Sequence, residues 1–336
     1  MVILGGTSFT IGENIVTIDE TTSYNFSDYI SEEGADYYVF INSEGRVIAS
    51  QIRTPADGYM FIGQFHTLCN GVAANTTGVI PTAISEIGSK ILLQRYSVNE
   101  DSDFYEFYLK TIDAVALNSQ YNLATVLHPL QGFNTGDILP ESVWCLNFHP
   151  KCKNWDGMVY SCDCNIAVDI YLQNGTDVNT SSVFGAAYTI NRYPINHMND
   201  MTAVGKRLVK LEEFQDFALG SESRINTSSW IFTTGGNVYN NNRRIISFIG
   251  VEDCTGVSHQ IGSILGMNEA DREYSYDGNG SLGYARDVFA DISLGGAHAN
   301  FTQQILDIGV RALAFDNING AYDLMTSRGV CDISIV

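Results

Sequence analysis

The apolar residues of this chain come in short runs, each closed within a few positions by turn-forming residues, and this limits what it can fold into. DYYVFIN at 36–42 is followed by Ser43-Glu44-Gly45 and then RVIAS, which reads as a strand, a turn and a returning strand. TPADG at 54–58 is turn-prone, and GYMFIGQFHTLC reads as the next strand. ESVWCLNFHP at 141–150 and GMVYSCDCNIAVDIYLQN at 157–174 read the same way. So do WIFTTGG, RIISFIGV and VFADISLGG, with Gly- and Asn-rich loops between them. The best helical stripe lies in GKRLVKLEEFQDFALG at 205–220. Leu208, Leu211, Phe214 and Ala218 recur at helical spacing, and Gly220 stands where a terminating glycine belongs, so a helix is expected over 208–219. No internal repeat is visible.

These runs divide the chain into three parts. Residues 1–80 read as a small antiparallel β domain. Residues 81–137 read as an insertion or connector, because SDFYEFYLKTIDAVAL fits a strand or a short helix equally. Residues 138–336 read as a second, α+β domain. At 336 residues and 45% hydrophobic, the chain can bury a sizeable core.

Charge narrows the partners. A formal net charge of -20 repels nucleic acid and anionic membranes, so neither is expected. No stretch approaches the ~18 apolar residues that span a bilayer. The N-terminal MVILGGTSFTIGENIV lacks a basic region and a sustained apolar run, so no signal peptide is expected. The N-x-S/T triplets at Asn75, Asn174 and Asn226 then follow from composition.

The seven cysteines are odd in number and irregular in spacing, which is not a disulfide framework. Cys145, Cys152, Cys162 and Cys164, with His149 among them, could hold a metal, but only Cys162 and Cys164 stand close. Structural zinc sites usually carry two close pairs, so buried or free thiols are expected and no cofactor is assigned. The six histidines show no ligand spacing. No Ser/His/Asp arrangement or phosphate loop is apparent.

Several motifs carry a resemblance. Gly205-Lys206-Arg207-Leu208 leading into Glu213-Phe214 and Ala218 resembles the helix motif of formylglycine-generating-enzyme-type C-type lectin folds. Asp253-Cys254-Thr255-Gly256, Leu294-Gly295-Gly296, Gly309-Val310-Arg311 and Arg328-Gly329-Val330-Cys331-Asp332 resemble that fold's later segments in order. Val257 and Ile261 depart from its pattern. The closing segment, with a Gly-x-Arg upstream, is similar to the phage major tropism determinant family, the variable receptor-binding proteins of diversity-generating retroelements. The similarity covers most of the chain except 81–135. It implies a C-type lectin fold preceded by a small β-sandwich. The family's N-terminal β-prism is not expected, since the chain begins near the sandwich.

The resemblance also implies a site. In that family the variable residues sit between fixed strands and form an exposed binding face, which implies a C-terminal variable region over 295–336 here. Retroelement mutagenesis acts at template adenines, and changing the first two bases of an AAC codon never gives Lys, Glu, Gln, Trp or Met. The runs 297–301 and 312–323 contain none of these. Ala297, Ala299, Asn300, Phe301, Ala312, Ala314, Phe315, Asp316, Asn317, Asn319, Tyr322 and Asp323 are therefore expected to form one solvent-facing patch. Phe301, Phe315 and Tyr322 are its natural anchors, because aromatics dominate interface energetics. Asn300, Asp316, Asn317 and Asn319 supply polar contacts. Gly295, Gly296, Arg311, Arg328 and Cys331 are assigned to scaffold.

The resemblance further implies a macromolecular receptor, a protein on a host or neighbouring cell surface. It implies a homotrimer, carried on a virion tail fibre or a cell surface. Without it, the two runs read as Asn/Gly-rich loops. Two other readings compete: a structural tail or surface subunit without variable recognition, and a formylglycine-generating-like enzyme. That enzyme uses two cysteines near the equivalent of 309–315, where GVRALAF carries no thiol, so no catalysis is expected.

Overall fold

The computed structural model describes residues 1–81, 123–192, 194–221, 232–239, 243–254, 257–263, 291–294 and 325–335. The chain is mostly β, with two short α-helices among these residues. It opens on β1 (Val2–Ile3), β2 (Thr7–Ile11), β3 (Asn14–Ile18) and β4 (Thr22–Ser23). β5 (Asp36–Asn42), β6 (Val47–Ser50) and β7 (Tyr59–His66) follow, then β8 (Thr77–Pro81) and β9 (Leu123–Leu127). Next come β10 (Trp144–Cys145), β11 (Phe148–Pro150), β12 (Met158–Ser161), β13 (Ile166–Asp169) and helix α1 (Pro194–Ala203). β14 (Arg207–Leu208) leads into helix α2 (Leu211–Phe217) and then β15 (Val238–Tyr239) and β16 (Arg243–Arg244). The last strands are β17 (His259–Ser263), β18 (Asp291–Leu294), β19 (Met325–Ser327) and β20 (Gly329–Ile335).

One sheet runs through the molecule in the order β12-β13-β20-β11-β10-β7-β5-β6, with β14 also on β20. The β5–β6 hairpin pairs Tyr38 with Ser50 and Ile41 with Val47, as its alternation and Ser-Glu-Gly turn predict. The stretch read as a strand at 141–150 is a hairpin, β10 to β11, turning at Leu146-Asn147. β10 then pairs with β7, Cys145 opposite Gly63, so strands from 36–66 and from 144–169 share one sheet. A buried chain of polar contacts reinforces this junction. The Asp36 carboxylate accepts the Gly157 N–H and lies 2.9 Å from His66 Nδ1, and His66 Nε2 lies 3.0 Å from the Tyr171 hydroxyl.

β20, the last strand in sequence, sits in the middle of the sheet. β13 pairs on one side of it, and β11 and β14 on the other. Its first residues, Gly329, Val330 and Cys331, are buried, as is Ile333, whereas Asp332 and Ile335 are exposed. Helix α2 packs Phe214, Phe217 and Ala218 into the main core with Val168, Ile170, Tyr171 and Val330. Burying the two phenylalanines contributes roughly 2 to 3 kcal/mol each. The helix is shorter than its stripe predicts: Leu208 belongs to β14, opposite Gly329. Lys210 is extended, with φ -82° and ψ 161°, so the helix starts after it. The Glu213 carboxylate accepts the Lys210 N–H at 2.9 Å and holds Arg207 at 2.6 and 2.7 Å, which fixes that start. Gly220 takes φ +88° just beyond the helix, as its position in the sequence predicts.

Candidate functional site

Strands β17, β18 and β19 form a small sheet of their own, with β17 in the centre. β18 runs antiparallel to β17, with Leu294 opposite Gln260 and Asp291 opposite Ser263. β19 runs parallel to it, with Met325 opposite His259 and Ser327 opposite Ile261. Leu294 and Met325 therefore stand at the same end of β17, on either side of it. Neighbouring strands lie ~4.8 Å apart, so the backbone at these two positions is separated by about 10 Å. The twelve residues expected to form the patch, Ala297 to Asp323, fall between these two anchors and lie outside the described residues, as do Gly295, Gly296 and Arg311. The described residues supply the frame at both ends.

Arg328 is the centre of that frame. It follows β19 directly and is fully buried. Its Nη1 donates to the carbonyls of Asp169 and Ile170, both at 2.6 Å, and its Nη2 to the Glu252 carbonyl at 2.5 Å. Its Nε donates to Gln260 Oε1 at 3.1 Å. Gln260 Nε2 in turn donates to the carbonyls of Asp253 and Cys254, at 2.9 and 3.2 Å. One guanidinium thus ties the end of β19 to β13, to the 252–254 turn and to β17. Burial lowers its pKa, opposed by Cys254 and by the Asp253, Asp169 and Glu252 carboxylates, and a guanidinium does not deprotonate in proteins. This agrees with the scaffold role the sequence assigns to Arg328.

Beside Arg328 lies a buried ion pair that sequence reasoning missed. Lys206 Nζ donates to Asp169 Oδ1 at 2.5 Å, and both side chains are buried. Asp169 Oδ2 accepts the Gly329 N–H at 3.0 Å. Burial pushes the Asp169 carboxyl up, and Lys206 and Arg328 pull it back down. Lys206 also loses solvent, but the Asp169 carboxylate outweighs that loss and holds the ammonium above its ordinary value. Gly329 makes room for the pair, since a Cβ there would meet Asp169 Oδ2 at 2.5 Å and Lys206 Cδ at 2.8 Å. The Gly-Lys-Arg-Leu motif marked Lys206, but nothing marked its partner. A second buried pair, Arg244 with Glu252, supports the turn whose carbonyl Arg328 holds.

The other side of β19 is fixed by Ser327. Its hydroxyl donates to Gln173 Oε1 at 2.5 Å, and His197 Nδ1 lies 2.6 Å from the same oxygen. Gln173 Nε2 donates to Asp200 Oδ2 at 2.8 Å, and Arg192 pairs with Asp200 at 2.9 Å. His197 Nε2 is buried without a hydrogen-bond partner. Burial, with the Arg192 charge, pulls the imidazole down to about 4 from its ordinary 6.5. His197 is therefore neutral in the fold, while the unfolded chain takes up a proton as the pH falls below 6.5. Its stabilisation is complete above pH 6.5 and lost as the pH falls toward 4, by roughly 3 kcal/mol. Asp253, pushed up to about 6 by burial and by Glu252, acts in the opposite sense over part of that window. Urea midpoints measured from pH 7.5 to 4 should therefore fall less steeply for His197→Gln than for the unmodified chain. Equal slopes would contradict this placement of His197.

The thiols considered as metal ligands are dispersed. Cys145 on β10 and Cys162 are exposed, Cys164 is half-buried and Cys152 is buried. Cys162 and Cys164 lie in the turn between β12 and β13, not on a strand. Among the described residues no three metal-ligating side chains converge.

No protein-family model matches this sequence, and no curated protein matches it. Solved structures do. The chain is similar to the Major Tropism Determinant U1 Variant with a TM-score of 0.67 at 18% identity, covering 100% of this chain and 81% of that one. For the P3c and M1 Variants the TM-score is 0.66 at 19% identity, with the same coverage. At such identity the likeness is one of fold. A mostly β chain with its last strand in mid-sheet, and a small sheet clamped beside it by one buried arginine, thus has the fold of the Major Tropism Determinant variants.

Proposed function

We propose that this chain is a receptor-binding protein whose segment 295–324 carries a variable recognition face. The observation that supports it most is the placement of Leu294 and Met325 at one end of β17, about 10 Å apart. In this reading the substitutions fall at solvent-facing positions of that segment and spare its scaffold residues Gly295, Gly296 and Arg311. Core replacements commonly cost ~2 to 5 kcal/mol, whereas surface ones usually stay within ~0.5 kcal/mol. A fixed frame with a replaceable segment is what a variable binding protein needs. The fold likeness to the tropism determinant variants supports the same reading.

In this reading Ala297, Ala299, Asn300, Phe301, Ala312, Ala314, Phe315, Asp316, Asn317, Asn319, Tyr322 and Asp323 contact the receptor. The receptor is a protein on a host surface, and the carrier is a phage tail fibre. The test is the DNA beside the coding sequence. A reverse transcriptase gene and an imperfect copy of the final coding stretch, differing at template adenines, are expected. Flanking DNA with neither would remove the variable part of the proposal.

Two outcomes follow for the protein itself. Phe315→Ala or Tyr322→Ala should weaken receptor binding by about 2 kcal/mol, roughly thirtyfold, and leave the melting temperature nearly unchanged. Surface plasmon resonance on the identified receptor, paired with calorimetry, reads both. The assembly is a homotrimer, since several copies raise avidity on a cell surface. Light scattering at micromolar concentration should give three times the 36.9 kDa chain mass, and a stable 36.9 kDa species would rule the trimer out.

A further inference from the structure

Among the seven cysteines, Cys331 lies on β20 and Cys152 just beyond the end of β11, the strand paired with it. β11 and β20 are antiparallel, with His149 opposite Ser334 and Pro150 opposite Ile333. The Lys151 N–H donates to the Asp332 carbonyl at 2.8 Å, which carries the same register one residue further. The next pair in that register is Cys152 and Cys331. Because Lys151 and Asp332 form a hydrogen-bonded pair, the following pair is non-hydrogen-bonded. Such pairs bring Cα atoms to about 4.5 Å with side chains on the same face. That is within the ~4.4 to 6.8 Å Cα separation that disulfides span. The side chains are in fact together. Both thiols are buried in one cluster with Trp144, Met158, Ala167 and Ile333.

We propose that Cys152 and Cys331 are a redox pair that closes to a cross-strand disulfide joining β20 to the end of β11.

The surroundings favour Cys152 as the attacking sulfur. The neighbouring Cys331 and the Lys206 ammonium favour its anionic form, so its pKa falls despite burial. The Cys331 thiol is pushed up, first by the neighbouring Cys152 and then by burial. The oxidant is a small-molecule disulfide such as oxidised glutathione. The Cys152 thiolate attacks one sulfur of that reagent, forming a mixed disulfide and expelling one glutathione thiolate. Cys331 then gives up its proton, attacks the Cys152 sulfur and expels the second thiolate. Two protein thiols are oxidised, one reagent disulfide is reduced to two thiols, and the protons released are taken up by the leaving thiolates or solvent. The bond would lock the strand that begins next to Arg328, and with it the C-terminal anchor of 295–324. It leaves the proposed receptor contacts themselves unaltered.

The test treats the folded full-length chain with oxidised glutathione, blocks remaining thiols by alkylation, and maps peptides by mass spectrometry with and without reductant. The expected product is a joined peptide containing Cys152 and Cys331, lighter by two hydrogens than its separated halves. It should disappear on reduction, and the oxidised chain should melt at a higher temperature. In Cys331→Ser the joined peptide is lost and Cys152 retains glutathione. Should that variant not fold, the map of the unmodified chain decides alone. Alkylation of both Cys152 and Cys331 after complete treatment overturns the proposal, as does joining of either to another cysteine.

Discussion

Arg328→Ala is expected to destabilise the fold by about 4 kcal/mol or more, among the largest effects of any single substitution in the chain. The guanidinium serves three buried backbone carbonyls and the Gln260 side chain. Alanine leaves those acceptors without donors, each at roughly 1 to 3 kcal/mol, and opens a cavity where the long side chain stood. Arg328→Lys should recover little, because one ammonium cannot reproduce a planar fork of donors directed at four acceptors. Equilibrium urea unfolding would read both variants through the midpoint at unchanged slope. A loss below about 1 kcal/mol for alanine would mean that Arg328 is not the clamp described here.

Lys206→Met should cost about 3 to 5 kcal/mol, because it strands the Asp169 carboxylate in the core. The Gly329 N–H and Arg328 would remain nearby, but no cation would pair with that carboxylate directly. Adding Asp169→Asn to Lys206→Met removes the stranded charge while an amide oxygen still accepts the Gly329 N–H. The double variant should therefore be more stable than Lys206→Met alone. If it is less stable, the pair is not coupled in the way its 2.5 Å contact implies.

What the sequence makes legible here is local. The 36–50 hairpin announces itself through alternation and a Ser-Glu-Gly turn, and the centre of α2 through Phe214 and Ala218 at helical spacing. The start of α2 is hidden because Leu208 satisfies the helical stripe and yet pairs with Gly329, more than a hundred residues away in sequence. Helix α1 escapes a search for apolar stripes because its inward residues include His197 and Asp200 as well as Met201. The Lys206–Asp169 pair and the four contacts of Arg328 join positions whose separation no local pattern encodes. The Cys152–Cys331 juxtaposition is of the same kind, visible only once β11 and β20 are in register. For the candidate site, the resemblance implies the residues, which lie outside the described ones, and the structure supplies the anchors at Leu294 and Met325.

The central claim is that a replaceable recognition segment is mounted on an irreplaceable frame, and a substitution library in the full-length chain tests it most directly. The twelve positions from Ala297 to Asp323 would be randomised in one set, and Lys206, Gln260 and Arg328 in another. Protease resistance of each variant, read by sequencing the survivors, measures folding without requiring the receptor. The account predicts that most variants of the first set survive, including those replacing Phe315 and Tyr322, and that nearly all of the second set are digested. Digestion of the Phe315 and Tyr322 variants would contradict it, because those residues would then belong to the core.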